Sequence, residues 1–252
     1  MGNFFALLTL FLTLAKNVEQ RGVLNVTFVD YVNPGKKDYS GGDGDECCDT
    51  IFCDDCDTYF EICLQATYTP VASLANCLKF VRTKVREDDN FKFISAYGTQ
   101  FGSNGEKNPI EYHFDDSWKG TFSIFMNIWD SDSGNLFNLG GARDRIDIVF
   151  GSYQYLIAGR HSAKPKIYQK TLTGSRKNPT STTIKLSLQC DRYYYDGYCS
   201  TYCKPQDSKA AGHYTCDRFG RKICRIGWQG TNCKTDMNSC RSQPCQHGGR
   251  CQ

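Results

Sequence analysis

Six cysteines, at positions 190, 199, 203, 216, 224 and 233, fall within about a sixth of this chain, in the segment CDRYYYDGYCSTYCKPQDSKAAGHYTCDRFGRKICRIGWQGTNC. The segment has too few large aliphatic residues to bury a core of its own. Folds below roughly 40 to 70 residues usually need staples, and a disulfide contributes about 2–4 kcal/mol. Aromatic and charged side chains remain, held on a frame with little freedom. A stapled display surface of this kind reads as a binding module.

The whole chain has 252 residues, room for one large or two to three small domains, and 15 cysteines in three clusters. Such clusters mean disulfides in an oxidising compartment or metal sites in a reducing one. The N-terminus favours the first. Phe4 to Ala15 is an apolar run of twelve residues, too short to span a bilayer comfortably, and Thr13 and Ala15 offer small residues for cleavage. The run lacks a preceding Lys or Arg, yet a signal peptide over residues 1–15 fits better than a core helix, with the mature chain beginning near Lys16. The protein is therefore expected in the secretory pathway. A formal net charge of +3 carries no signature of nucleic-acid binding.

Val23 to Val29 alternates Leu24, Val26 and Phe28 against Asn25 and Thr27, the pattern of a half-buried strand. Asn25-Val26-Thr27 is also an N-glycosylation sequon, whereas Asn178-Pro179-Thr180 is excluded by its proline. Asp38 to Glu61 is acidic and reads as a loop, carrying Cys47, Cys48, Cys53 and Cys56, with Cys63 just beyond. With Cys77 these make a set of six that can close on itself in about 15 ways. Cys53-x-x-Cys56 has the spacing of a redox or zinc half-site, but Cys47-Cys48 is too cramped to complete one, so disulfides are the better reading.

Further strand signals occur at Phe91–Ile94, Thr121–Trp129, Arg145–Phe150, Tyr153–Ile157 and Thr183–Leu188, with polar turns between and no long helical period. This spacing predicts an antiparallel β-sandwich over residues 16–189. Asp130 and Asp132 follow the strongest strand as D-x-D, and clustered carboxylates on one loop repel unless water or a cation compensates. They are candidate calcium ligands, with a solvated turn as the competing reading. The polar segment after Lys170, TLTGSRKNPTSTT, reads as a loop before the last strand.

Cys224-Arg-Ile-Gly-Trp-Gln-Gly-Thr-Asn-Cys233 has the form of the last loop of an EGF-like module, with Trp228 covering its disulfide. Cys240-x4-Cys245-x5-Cys251 then resembles the opening half of an EGF repeat over 234–252. Its remaining cysteines would lie beyond Gln252, which accounts for the odd total. Its first cysteine arrives one residue early for the calcium-binding pattern, and Ser239 replaces the acid.

Cys190-Asp191, Tyr193 to Tyr195, Gly197, Tyr202 to Pro205, Gly212 to Cys216 and Gly227-Trp228-x-Gly230 together resemble the DSL domain of the Notch ligands of the Delta, Serrate and Jagged family. Upstream, Cys47-Cys48-Asp49, Cys56 to Leu64, Asn108 to Ser123 and Trp129-Asp130 resemble that family's C2-like N-terminal β-sandwich. The resemblance covers essentially the whole mature chain, with a mainly β fold and three modules in the expected order: sandwich 16–189, DSL 190–233, start of an EGF-like repeat 234–252. It implies the pairs Cys190–Cys199, Cys203–Cys216 and Cys224–Cys233. It also implies an extracellular, membrane-anchored ligand whose DSL domain and sandwich loops grip EGF repeats of a Notch receptor on a neighbouring cell.

The implied contacts are Tyr194, Lys204, Pro205, Gln206, Asp207, Ala210, Ala211 and His213. In relatives the loop reads near RPRDDxFGH. Here Lys204 keeps the first charge, Gln206 replaces an arginine, Ser208 replaces an acid, and Ala210-Ala211 stand where bulky residues are usual. Arg and aromatic anchors carry most interface energy, so the grip is altered while the frame is kept. Tyr193, Tyr195 and Phe219 are alternative anchors. Two other readings share the fold: a soluble co-ligand or antagonist, and a sandwich that docks on calcium and membrane lipid. No cofactor is required and no enzyme is expected. None of the four histidines lies in H-E-x-x-H, and no G-x-S-x-G, P-loop or Rossmann fingerprint occurs.

Overall fold

The computed structural model describes residues 20–35, 37–38, 46–48, 55–131, 143–161 and 163–237. The segment read as a signal peptide, Cys53, Asp132 and the cysteines read as the start of an EGF-like repeat lie outside them. In chain order the larger part consists of β1 (Gly22–Val32), β2 (Lys37–Asp38), β3 (Glu46–Cys47), β4 (Asp57–Gln65), β5 (Lys79–Arg82), β6 (Arg86–Glu87), β7 (Asn90–Lys92), α1 (Phe93–Tyr97), β8 (Ile110–Phe114), β9 (Phe122–Ser131), β10 (Arg143–Tyr153), β11 (Lys166–Thr173) and β12 (Ser181–Cys190). One sheet runs β11-β12-β1-β7, with β8 also on β1; the other runs β10-β9-β4-β5, with β6 on β4. Every pairing among these strands is antiparallel.

The two sheets close on each other through the alternation read in β1. Leu24, Val26 and Phe28 point inward with Ile184, Leu186 and Leu188 of β12. They belong to the same core as Phe60, Ile62 and Leu64 of β4 and Phe122, Ile124, Met126 and Ile128 of β9. Burial of such side chains, about 1.5–3 kcal/mol each, supplies the driving force. At one end the rings of Phe28, Tyr31, Phe60, Phe91, Phe93, Tyr97 and Phe101 pack with centroids 5.0–6.3 Å apart. The register of β1 shifts between Phe28 and Asp30, and the buried Asn108 side chain makes good the pairing there. Its Oδ1 accepts from Phe28 N at 2.9 Å and its Nδ2 donates to Phe28 O at 2.8 Å.

Several local expectations need correction. Asp57–Glu61 is not loop but the first half of β4, paired with β9 on one side and with β5 and β6 on the other. The acid that disguised it, Glu61, is buried under Arg82 and accepts from Trp129 Nε1 at 2.9 Å. The Phe91–Ile94 signal splits. Strand ends at Lys92, and Phe93, Ala96 and Tyr97 then face the core at helical spacing while Ile94 is exposed. β10 stops at Tyr153; Tyr155 takes a φ of +56° and stands exposed, so Tyr153–Ile157 is not a strand. The segment after Lys170 is loop only over residues 174–180, because β11 runs to Thr173 and β12 begins at Ser181.

The loop left between β11 and β12 folds over a buried carboxylate. Asp147 accepts from Ser175 N, Thr180 N and Thr180 Oγ1 at 2.9–3.0 Å, and Arg176 Nε stands 3.8 Å away. Arg176 also donates to Asn33, whose Nδ2 donates to Asp89 Oδ1 at 2.8 Å. Asp89 is buried beside the Cys48–Cys56 disulfide, and its Oδ2 has no hydrogen-bond partner. Burial, reinforced by the charge of Asp55 and opposed by the Asn33 hydrogen bond, raises the Asp89 carboxyl to about 6.

A carboxyl raised from 3.8 to about 6 binds its proton more tightly in the folded state. Its contribution to stability therefore grows as pH falls from 7 through 6 towards 4. Asp89→Asn should stabilise the protein at pH 7 by roughly 1–3 kcal/mol and lose that advantage near pH 4. Chemical denaturation of both proteins across this range measures the difference.

Candidate functional site

The cysteine-rich module begins inside the sandwich. Cys190 ends β12, pairs with Cys199, and both sulfurs belong to the sandwich core. Backbone bonds fix the junction on several sides: Cys190 N to Gly159 O, Ala158 N to Gly197 O, Trp118 N to Tyr198 O and Asp191 N to Arg21 O, each 2.8 Å. Trp118 is buried against Phe114, and its Nε1 donates to Leu156 O at 2.9 Å. Asp196 organises the first loop of the module by accepting from Tyr198 N, Ser200 N, Ser200 Oγ, Thr201 N and Thr201 Oγ1. Burial works against its charge, but the hydrogen bonds from Ser200, Thr201 and Tyr198 outweigh this and hold the carboxyl below its ordinary range.

Beyond the junction come β13 (Tyr194–Tyr195), β14 (Thr201–Tyr202), β15 (Gln206–Ser208), β16 (Gly212–Cys216), β17 (Lys222–Cys224), β18 (Trp228–Gln229) and β19 (Thr235–Asp236). They form a β13–β14 pair, a β15–β16–β17 sheet and a β18–β19 pair. The remaining disulfides are Cys203–Cys216 and Cys224–Cys233, the sequential order that the resemblance implies. Cys203, Tyr214 and Cys233 make a small core closed by Tyr195 and Trp228. In the sandwich, Cys48–Cys56 and Cys63–Cys77 are bonded, so Cys56 serves as a disulfide partner rather than half of a zinc pair.

The contacts read from the sequence fall into three groups. Tyr194 and Lys204 lie with Tyr193, Arg192 and Tyr202 around a cleft of about 480 Å³ that also touches Gln20 and His161. Tyr194 leans on the sandwich core, 5.2 Å from Tyr202 and within 5.7 Å of the Arg21 guanidinium. Tyr193, at a φ of +75°, lies between Arg192 at 4.9 Å and Lys204 at 5.6 Å. Ala210 and Ala211 form the tip of the β15–β16 hairpin, with Ser208 Oγ accepting from Ala211 N at 3.1 Å. Pro205 is exposed and Gln206 half-buried at the hairpin's base.

Asp207 and His213 sit opposite each other across the hairpin and bind one another: His213 Nδ1 is 2.5 Å from Asp207 Oδ1. The His213 bond, helped by Arg225, holds the Asp207 carboxyl below the usual carboxylate range. Tyr202, 48% exposed, is a further surface aromatic that the sequence resemblance does not mark as a contact. Its sequence signal is an aromatic residue beside a framework cysteine, opposite Tyr194 in the β13–β14 pair.

Asp130 is not on a loop. It lies within β9, buried, and its Oδ1 accepts from Asp57 N at 2.7 Å, while Asp132 is outside the described residues. Asn25 is half-exposed on β1, flanked by Ser187 and Glu111 on the neighbouring strands. Among the described residues no helix is long and apolar enough to cross a membrane.

Family comparison adds to this geometry. The family described as the N terminus of Notch ligand, C2-like domain, matches residues 21–154, and the one described as Delta serrate ligand matches residues 190–236. The chain belongs to the Notch ligand family. That family is not enzymatic, and the mainly β fold with its disulfide-stapled end is the one expected of it. The protein delta of Drosophila melanogaster is 28% identical over 77% of this chain and 21% of its own length. Human Delta-like protein 1 is 29% identical over 71% of the chain and 23% of its own length, and human jagged-2 is 27% identical over 78% and 15%. The chain thus spans about a fifth of these relatives. A solved Drosophila C2-DSL-EGF1 structure superposes with a TM-score of 0.55 at 24% identity, covering 85% of this chain and 87% of that one.

The module's dependence on its own backbone is testable at Gly212. Its φ is +103°, and a Cβ there would meet Asn232 O at 2.0 Å. Gly212→Ala should destabilise the β15–β16–β17 sheet by roughly 2 kcal/mol or more. Amide exchange should quicken within residues 206–236 and stay unchanged in β1, β4 and β9.

Proposed function

We propose that this chain is the receptor-binding end of a Notch ligand, tethered outside the cell by sequence beyond it, and that it engages EGF repeats of a Notch receptor on an apposed cell. The observation that carries this reading is the cleft of Tyr193, Tyr194, Tyr202 and Lys204, in which Tyr194 packs against the sandwich core close to the first disulfide. Interface energy concentrates in a few aromatic and cationic anchors on pre-ordered surfaces. This cleft supplies three tyrosines and a lysine in one place. It compensates for a hairpin tip of Ala210 and Ala211, which offers little area to bury. Lys204 and Pro205 connect the cleft to the hairpin, so both are presented to one partner.

Surface plasmon resonance against a Notch EGF-repeat fragment tests this. Tyr202→Ala and Lys204→Ala should each weaken binding about tenfold, roughly 1.4 kcal/mol, with the melting temperature little changed. No binding of correctly folded protein at tens of micromolar would sink the reading. Ala211→Phe should tighten binding if the hairpin tip docks as the family resemblance implies; a neutral or weaker result would leave the tyrosine cleft as the contact.

A further inference from the structure

Asp207 and His213 carry the charge and the imidazole that the sequence places among the receptor contacts, but their surroundings give them another task. The His213 ring lies on the Trp228 indole with centroids 3.7 Å apart and planes 18° from parallel. Asp207 holds the ring's Nδ1 from the opposite strand, and the Arg225 Nη1 is 3.6 Å from the second carboxylate oxygen. An ionised carboxylate only accepts, so Nδ1 is the donor of this bond and Asp207 Oδ1 its acceptor. Nε2 is shielded from solvent and has no hydrogen-bond partner. Among the described residues, the ion pairs that reach the ring are with Asp207 from β15 and, through it, Arg225 after β17.

The backbone of His213 is committed as well. Its N–H donates to Cys233 O at 3.0 Å, and its carbonyl accepts from Arg225 N at 2.9 Å. One residue therefore joins the hairpin, the strand after it and the last disulfide loop. We propose that Asp207 and His213 are positioning residues, which clamp the β15–β16 hairpin to Trp228 and so set where Gln206 and the Ala210-Ala211 tip stand for the receptor. This rests on the receptor-binding reading above. Without the clamp, β16 stays tied by its pairing with β17, the His213 backbone bonds and the Cys203–Cys216 bond, while β15 and the tip lose their side-chain tie to Trp228.

The test pairs a receptor-independent signal with a binding measurement on the disulfide-bonded chain. Stacking on an indole moves the His213 ring protons upfield in an NMR spectrum, and a structural change at the receptor surface alone would not. Asp207→Ala should abolish the upfield shift and weaken binding to the EGF-repeat fragment about tenfold. Asp207→Asn keeps an acceptor at the same place and should restore both. His213→Ala should match Asp207→Ala in binding, because the two act as a unit.

Weaker binding by Asp207→Ala with the shift intact would make Asp207 a direct contact and overturn the proposal. So would an Asn variant that binds as poorly as Ala while the stack persists, or a lost stack with unaltered binding. If the unaltered chain does not bind the fragment, the receptor reading fails, and the NMR comparison still decides whether Asp207 holds the ring.

Discussion

The Cys190–Cys199 bridge is the point through which the two parts of the molecule share one core. Cys190 is the last residue of β12, and Gly22, opposite it, is the first of β1, so the module begins where the sandwich's central pairing ends. Both sulfurs are shielded by sandwich side chains, and Tyr194 packs against the same cluster. The Trp118 indole bonded to Leu156 O, and the backbone bonds from Trp118 and Ala158 into the module, close the remaining sides. A module with only a small core of its own thus shares that of the sandwich.

This arrangement has a consequence for binding. Ordering a flexible surface on contact costs affinity, and a frame ordered beforehand avoids most of that cost. The tyrosine cleft is built on the junction itself, where freedom is least. The hairpin projects away from the junction and relies on local devices: the Cys203–Cys216 bond, the Gly212 turn geometry and the stack of His213 on Trp228. The opposite end of the sandwich holds a buried polar network instead, in which Arg176, Asn33, Asp89 and Asp147 tie separate loops together. Asp89 keeps one oxygen without a partner there, so stability is given up at neutral pH.

Much of the fold was legible because apolar alternation survives wherever one face of a strand meets solvent. β1 shows this plainly, with Leu24, Val26 and Phe28 buried and Asn25 and Thr27 half-exposed. β4 was hidden because it is covered on both faces, so its residues do not alternate, and the buried Glu61 made it look like a loop. The polar stretch after Lys170 misled at its two ends, for the opposite reason. β11 is an edge strand with few buried residues, and threonines suit strands as well as they suit loops. Asp130 read as a loop ligand because its partner, the Asp57 backbone, lies on a strand brought alongside only by folding.

By itself, the sequence determined the class of the protein: a β-sandwich followed by a stapled module of the Notch ligand type, since cysteine spacing, turn glycines and strand alternation are local signals. Which side chains are free to meet a partner was decided only in three dimensions. Tyr202 became part of the cleft through pairing with Tyr194, and Asp207 was turned to His213 and Arg225 by the register of one hairpin and the closure of a distant loop. A side chain's chemistry is written in the chain, but its availability depends on neighbours that are distant in sequence and adjacent only after folding.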